Sequence, residues 1–258
     1  MSTALVTGAT AGIGRAFAVA FAGRGADLVL VARDGARLDG LARELTGTYG
    51  VDATPCVADL VDEHGLTTVE ARLRDPEAPI DILVNNAGFG TYGDFSALDV
   101  ATEEREIRLN VLALVRLTHA ALGGMLARRT GAVLNISSLA AYQPSPSSAT
   151  YGATKAFVNS FTHSVHQETR GTGVHVMLVC PGFTHTEFHD RAGLGPTGIP
   201  EFLWQSADEV VGAALRDLDR RRSVSIPGAL NKTMGALSSV APAGVSRRVA
   251  AAVIRRAG

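Results

Sequence analysis

Tyr151 and Lys155 stand four residues apart in the stretch "ATYGATKAF", residues 149–157. On a helix that spacing puts both side chains on one face, one turn apart. A surface lysine ordinarily has a carboxylate for a neighbour. Here it has a phenol, and a cation favours the ionised form of a phenol. The pair is therefore suited to proton exchange, provided the chain also supplies something to exchange with.

A second cluster offers a partner. "TGATAGIG" places Gly8, Gly12 and Gly14 directly after an apolar strand-like run and at the opening of a helical segment. Glycines there let the backbone turn tightly and let a pyrophosphate approach the amide groups at the positive end of the helix. The spacing differs from the G-x-G-x-x-G dinucleotide pattern, and a glycine-rich turn by itself is common. At the end of the second strand-like run, "GADLVLVARD", Arg33 stands where a dinucleotide fold reads the adenosine ribose. An arginine fork suits the 2′-phosphate of NADP, whereas an acid suits the ribose hydroxyls of NAD. Asp34 competes for the ribose, but its place before a helical segment reads more plainly as a helix N-cap. NADP(H) is the expected cofactor and NAD(H) the alternative. Arg15, just after the glycine turn, could add positive charge or lie on the surface.

The elements that must hold these groups recur in a simple order. β-branched runs ("TALVT", "DLVLVA", "IDILVNN", "GAVLNIS", "GVHVMLVC") alternate with segments of helical spacing at 13–23, 34–45, 61–73, 99–129 and 149–170. Near-continuous apolar strands alternating with helices imply a parallel sheet covered on both faces, an α/β doubly wound (Rossmann) fold. With 258 residues, no dividing linker, no repeat and only the short "QPSPSSA" loop at 143–149, residues 1–258 read as a single domain.

Composition narrows the partners. Lys and Arg total 24 against 25 Asp and Glu, so no global basic field draws the chain to nucleic acid or an anionic membrane. No stretch approaches the roughly 18 uninterrupted apolar residues of a transmembrane helix, and no secretion signal is visible. Cys56 and Cys180 sit beside valines and read as buried free thiols, in keeping with reducing cytosol.

The motifs together resemble the short-chain dehydrogenase/reductase family over nearly the whole chain. "TGATAGIG" is similar to its cofactor loop, "NNAG" at Asn85 to Gly88 follows the fourth strand, and "ADL" at 58–60 looks like its adenine-contacting segment. "ISS" at 136–138, "YGATK" at 151–155 and "PGFTHT" at 181–186 then occur in the family's order. The resemblance implies an oxidoreductase that moves a hydride between NADP(H) and a carbonyl or secondary alcohol. Tyr151 matches the residue that gives or takes the oxygen's proton, and Lys155 the residue that lowers its pKa and holds the nicotinamide ribose. Ser138 matches the serine that hydrogen-bonds the substrate oxygen, and Asn110 the asparagine linked through water to the lysine. Ser137 points the other way along the strand and is the poorer candidate. For the cofactor the resemblance implies Gly8, Thr10, Gly12, Ile13, Gly14, Arg33, Asp59, Leu60, Asn86, Ala87, Gly88, Pro181, Gly182, Thr184 and Thr186, besides Tyr151 and Lys155. Thr184 departs from the valine or isoleucine common there, which leaves its side-chain role open. A homodimer or homotetramer through the long helices near Asn110 and Tyr151 is expected. The alternatives are an NAD-linked alcohol dehydrogenase and a dinucleotide-sensing protein without chemistry. Members of the second kind tend to lack the tyrosine or lysine, and this chain has both.

The remaining signals are weaker. "HTEFH" at 185–189 is not the H-E-x-x-H zinc pattern, so no metal is expected. Residues 183–206, with Phe183, Phe188, Phe202 and Trp204, fall where the family builds its substrate lid. With Tyr142 and Phe89 in nearby loops they suggest a substrate with apolar bulk. The tail 245–258 reads as a helix packed on the body with its arginines in solvent, or as a basic helix on a membrane surface.

Overall fold

In the computed structural model, which describes residues 2–144, 146–188 and 200–233, the apolar runs form strands and the segments between them helices. In chain order these are β1 (Thr3–Thr7), α1 (Gly12–Ala22), β2 (Asp27–Ala32), α2 (Gly35–Tyr49), β3 (Ala53–Val57), α3 (Glu63–Arg74), β4 (Ile82–Asn85), α4 (Val100–Ile107), α5 (Leu114–Arg128), β5 (Gly131–Ile136), α6 (Ala149–Glu168), β6 (Val174–Val179), β7 (Thr184–His185), β8 (Gln205–Ser206), α7 (Ala207–Asp219) and β9 (Val224–Ser225). Seven strands form one sheet in the order β3-β2-β1-β4-β5-β6-β9, every neighbouring pair parallel.

Strand alternation builds two cores. Ala4 and Val6 of β1 join Leu28 and Leu30 of β2 on one face, under Phe17 and Phe21 of α1, Leu38 and Leu45 of α2, and Leu215 of α7. Leu5, Val29 and Val31 point the other way, to Leu66 and Val69 of α3 and Leu117 and Met125 of α5. This two-sided burial is why the strands read as continuous apolar runs rather than alternating ones. Each fully buried Phe or Leu contributes about 1.5–3 kcal/mol relative to exposure. The expected doubly wound sheet in a single domain is the observed one.

Three details differ from the sequence reading. β3 is an edge strand with Pro55 in it and a half-exposed pattern, so it lacks the apolar signature of the central strands. The segment 99–129 is not one α-helix: Arg108–Ala113 forms a π turn between α4 and α5, and Asn110 lies inside it. Such turns recur at functional sites because they re-aim backbone and side chains. Finally, the helical stretch Val100–Arg128 is, by length and composition, apolar enough to cross a membrane, its most apolar 18-residue window having a mean hydropathy of 1.4. Much of that character belongs to Leu114, Leu117, Ala120, Ala121 and Met125, which are buried in the core.

Candidate active site

The strand order reverses between β1 and β4, and the crevice opens outside their carboxyl ends. Thr7, the last residue of β1, ties the two ends together. Its hydroxyl donates to Val84 O (3.2 Å) and accepts from the amides of Asn86 (2.9 Å) and Ala87 (3.0 Å). Asn86 Nδ2 returns a bond to Thr7 O at 2.9 Å. These contacts fix the expected segment Asn86 to Gly88 against the glycine loop. Asn85 faces away and starts a buried polar ladder, donating to Thr118 Oγ1 and to Asn135 Oδ1, whose amide donates to Thr162 Oγ1.

The loop itself is a cradle shaped by missing side chains. Gly12 adopts φ +51°, and a Cβ there would meet Thr186 Cγ2 at 2.8 Å. A Cβ on Gly14 would lie 2.2 Å from Gly8 O, so α1 approaches its own entry loop as only glycine permits. The N-cap of α1 is Ala11, so no side chain occupies the first amides and no acid stands in the first turn. Open amides at a helix's positive end, with glycines that let a ligand come close, fit a pyrophosphate. A cavity of about 290 Å³ adjoins the loop, lined among others by Thr10, Gly12, Arg15, Arg37 and Glu187. The side chain of Ile13 packs against the core.

At the end of β2, Asp34 caps α2 by accepting from Arg37 N (3.0 Å), the structural role its position implied. Arg33 is exposed, with its Nη1 3.8 Å from Asp59 Oδ2. Asp59 also accepts from Val61 N, and Leu60 beside it is buried. Arg15 pairs with both carboxylate oxygens of Glu44, and Arg37 with those of Glu187. The Arg37–Glu187 pair spans 150 residues of sequence, so no local pattern announced it.

Tyr151 and Lys155 lie in the first turns of α6, beside the end of β5. Lys155 is 6% exposed, and its Nζ donates to Ile136 O at 2.9 Å and lies 5.7 Å from the centre of the Tyr151 ring. Ser138 follows β5 in extended backbone, its Oγ accepting from Ala140 N and interacting with the Tyr151 hydroxyl. Ser137 is buried and points the opposite way, its Oγ donating to Asn159 Oδ1 at 2.6 Å with Lys155 O at 3.1 Å. Asn110 receives Phe89 N on its Oδ1 and donates from Nδ2 to Phe89 O and Thr154 Oγ1. Thr154 in turn donates to Tyr151 O. Gly88 makes room for this junction, since a Cβ there would sit 2.8 Å from Asn110 Oδ1 and 3.6 Å from Lys155 Nζ.

One expectation is corrected. Lys155 was expected to lower the Tyr151 pKa, yet burial pushes the phenol up to about 12, with Ser138 the one group pulling it down and Glu106 and Cys180 adding to the rise. Burial pushes Lys155 down to about 8. The reason is desolvation: both charged forms lose water in the same crevice.

On the far side, Pro181 and Gly182 turn the chain out of β6. Gly182 lies against Asn231, which donates to Pro227 O and Gln205 Oε1. Thr184 is buried in β7, which pairs with β8, and its Oγ1 donates to Gly182 O. Thr186 Oγ1 contacts Thr184 O and accepts from Phe188 N. The Phe188 ring stands 5.3 Å from that of Tyr151, and Trp204 stacks on His185 at 4.8 Å. His185 also contacts Glu201 at 3.0 Å. His189, the 189–199 portion of the expected lid and the tail from 234 onward lie outside the described residues. Among the described residues no group of three or more His, Cys, Asp or Glu could hold a metal.

Known proteins share this fold and much of this sequence. The short chain dehydrogenase family model matches residues 2–194. A short-chain dehydrogenase from Sphingobium yanoikuyae, solved in complex with NADPH, is 41% identical with a TM-score of 0.85, covering 94% of this chain and 96% of that one. The bulky-bulky ketone specific alcohol dehydrogenase from Comamonas testosteroni is 35% identical with a TM-score of 0.80, covering 94% and 95%. The very-long-chain 3-oxoacyl-CoA reductase of Anas platyrhynchos is 37% identical over 217 residues, 76% of this chain and 69% of that protein. With a matching family model over most of the chain and a reversed-order sheet carrying the glycine cradle and the tyrosine–lysine crevice, this chain belongs to the short chain dehydrogenase family of oxidoreductases.

Proposed function

We propose that the protein reduces a carbonyl group on a partly apolar substrate at the expense of NADPH, with Tyr151 as general acid. The observation that carries this reading is the convergence of the Tyr151 hydroxyl, Ser138 and Lys155 beside the crevice formed by Asn86 to Gly88 and the glycine loop. When bound, the dinucleotide supplies the hydride. The chain's own residues do the rest. Gly8, Gly12 and Gly14 admit the pyrophosphate, Thr186 and the Pro181–Gly182 turn border the nicotinamide end, and Asp59 with Leu60 borders the adenine. Arg33 and, if its pair with Glu187 yields, Arg37 are the cations for a 2′-phosphate. Asp34 is committed to capping α2, which favours NADP over NAD.

Ser138 orients the substrate oxygen, and Tyr151 delivers its proton there. A phenol held near 12 stays protonated throughout the neutral range, and an oxygen acquiring alkoxide character is the stronger base, so the transfer runs downhill. Lys155 anchors to Ile136 O and presents its amine to the same crevice. The reverse reaction, oxidation of a secondary alcohol, uses the same groups but must first form the phenolate. Phe188 against Tyr151, with Phe183 and Trp204 beyond, offers apolar contact for a substrate with bulk on the carbonyl.

We further propose that the protein self-associates through α4, the π turn after it and α6, where Val100, Ile107, Leu112 and Phe157 leave apolar side chains exposed. Cys56 and Cys180 are free thiols, as suits a reducing cytosolic setting. The testing experiment follows NADPH and NADH consumption against a panel of aldehydes and ketones of graded bulk, with Tyr151→Phe as control. Turnover with NADPH that the variant lacks supports the reading. Tight NADPH binding with no turnover of any carbonyl replaces it with a sensing role, and better turnover with NADH makes it an NAD-linked dehydrogenase.

A further inference from the structure

Behind Lys155 and Asn110 lies a pair of buried acids. Glu103 and Glu106, on α4, are 5% and 0% exposed. In the sequence "TEEREIRLN" they stand among other charged residues, yet the loop at 88–93 and α6 cover them. One hydroxyl serves both: Thr91 Oγ1 lies 2.6 Å from Glu103 Oε1 and 3.2 Å from Glu106 Oε2. A hydroxyl has one hydrogen, so it can donate to only one carboxylate, and the closer contact is to Glu103. Glu103 Oε2 has no hydrogen-bond partner. The other oxygen of Glu106 lies 3.5 Å from Asn110 Nδ2, whose two hydrogens are taken by the nearer Phe89 O and Thr154 Oγ1. Enclosed with so few donors, Glu106 ionises reluctantly: burial, with Glu103 beside it, pushes its carboxyl up to about 7.

The groups facing Glu106 are few. From its own helix comes Glu103, and from α6 come Lys155 and Tyr151; Cys180, at the end of β6, acts on Lys155 and Tyr151. We propose that Glu106 is a positioning residue for the carbonyl reduction, whose buried negative charge holds Lys155 as the ammonium and Tyr151 as the protonated phenol. The inference rests on the function proposed above. Its electrostatic signs are consistent: Glu106 raises the pKa of Lys155 and of Tyr151, while Lys155 lowers that of Glu106, which burial otherwise pushes up to about 7. Acid and amine thus titrate close together, and the charge state of the crevice is a property of the pair.

The test uses the full chain with Glu106→Gln, which keeps volume and hydrogen-bonding capacity but removes the charge. The alkaline limb of kcat/KM for carbonyl reduction should move about one pH unit lower, with the carbonyl KM near neutrality unchanged. Carboxyl ¹³C resonances of glutamate-labelled protein give a second readout that needs no turnover. In the wild type one glutamate should titrate near neutrality, be absent in Glu106→Gln, and titrate at higher pH in Lys155→Met. If the limb of the variant coincides with that of the wild type, or no glutamate titrates near neutrality, or its titration ignores Lys155→Met, the inference is overturned. A wild type that reduces no carbonyl overturns the proposed function, and the ¹³C titration then decides this coupling by itself, even if Glu106→Gln fails to fold.

Discussion

Replacing Gly14 by alanine tests the cradle with a single methyl group. The new Cβ would stand 2.2 Å from Gly8 O, 2.4 Å from Asn86 Nδ2 and 2.9 Å from Gly8 C, whereas ordinary contact begins at 3.4 Å. Two of these atoms are backbone and the third is held by Thr7 O, so none can swing away as a free side-chain end would. The start of α1 must instead lift off the loop. Overpacking of this kind costs about 1–3 kcal/mol, and in a chain of this size each kcal/mol lowers Tm by about 2–4 °C. The shift also pulls Asn86 from Thr7 O and misaligns the amides offered to a pyrophosphate, so NADPH affinity should fall by more than about tenfold, roughly 1.4 kcal/mol. Circular dichroism melts and a fluorescence titration with NADPH measure the two effects. Gly47→Ala, in α2 with nothing within 4 Å of its Cβ, is the control and should gain about 0.5–1 kcal/mol from helix propensity. A Gly14→Ala protein that melts and binds NADPH as the wild type does would refute the close-approach argument.

Arg33→Ala should weaken NADPH by about 10–100-fold, the worth of a charge-assisted contact, while leaving NADH nearly unchanged; equal losses for both would mean that Arg33 only steadies Asp59. Ile107→Glu combined with Phe157→Glu should leave a monomer by light scattering, and an unchanged mass would move the interface elsewhere. Arg116 holds Glu70 below the usual carboxylate range, through contacts of 2.6 and 3.1 Å. A carboxylate depressed in the folded state stabilises above its unfolded pKa of about 4.3 and loses that contribution as pH falls through its folded value. Glu70→Gln should therefore cost about 1 kcal/mol at neutral pH and converge with the wild type in acid; parallel urea-stability curves from neutral pH down to acid would count against the ion pair.

What the sequence could convey depended on how local the signal was. Strands buried on both faces left uninterrupted apolar runs, and β1, β2, β4, β5 and β6 were legible for that reason. β3 was not, because an edge strand with Pro55 and exposed Val57 carries no such run. β7, β8 and β9 have two residues each and exist only through pairing. In the site, the glycines, Tyr151, Lys155, Ser138 and Asn86 were legible because their types and order are specific, and Asp34 because capping follows local rules. Thr7 was hidden as an ordinary strand residue, and Arg37 could not be matched with Glu187 from composition. Glu106 was the hardest case, since a charge on a polar helix looks solvated until another segment covers it. The direction of the Tyr151 shift was misjudged for a related cause: spacing shows that a lysine is near, but not that both groups have lost their water.

The central claim is that the Tyr151 phenol protonates a carbonyl oxygen as hydride arrives. Single-turnover reduction with NADPH carrying deuterium at the reactive position tests it most directly, on wild type and Tyr151→Phe matched for NADPH affinity. The account predicts deuterium on the carbinol carbon with the wild type, and a rate at least about 100-fold lower in the variant at unchanged affinity. Deuterium transfer by Tyr151→Phe at the wild-type rate would contradict it.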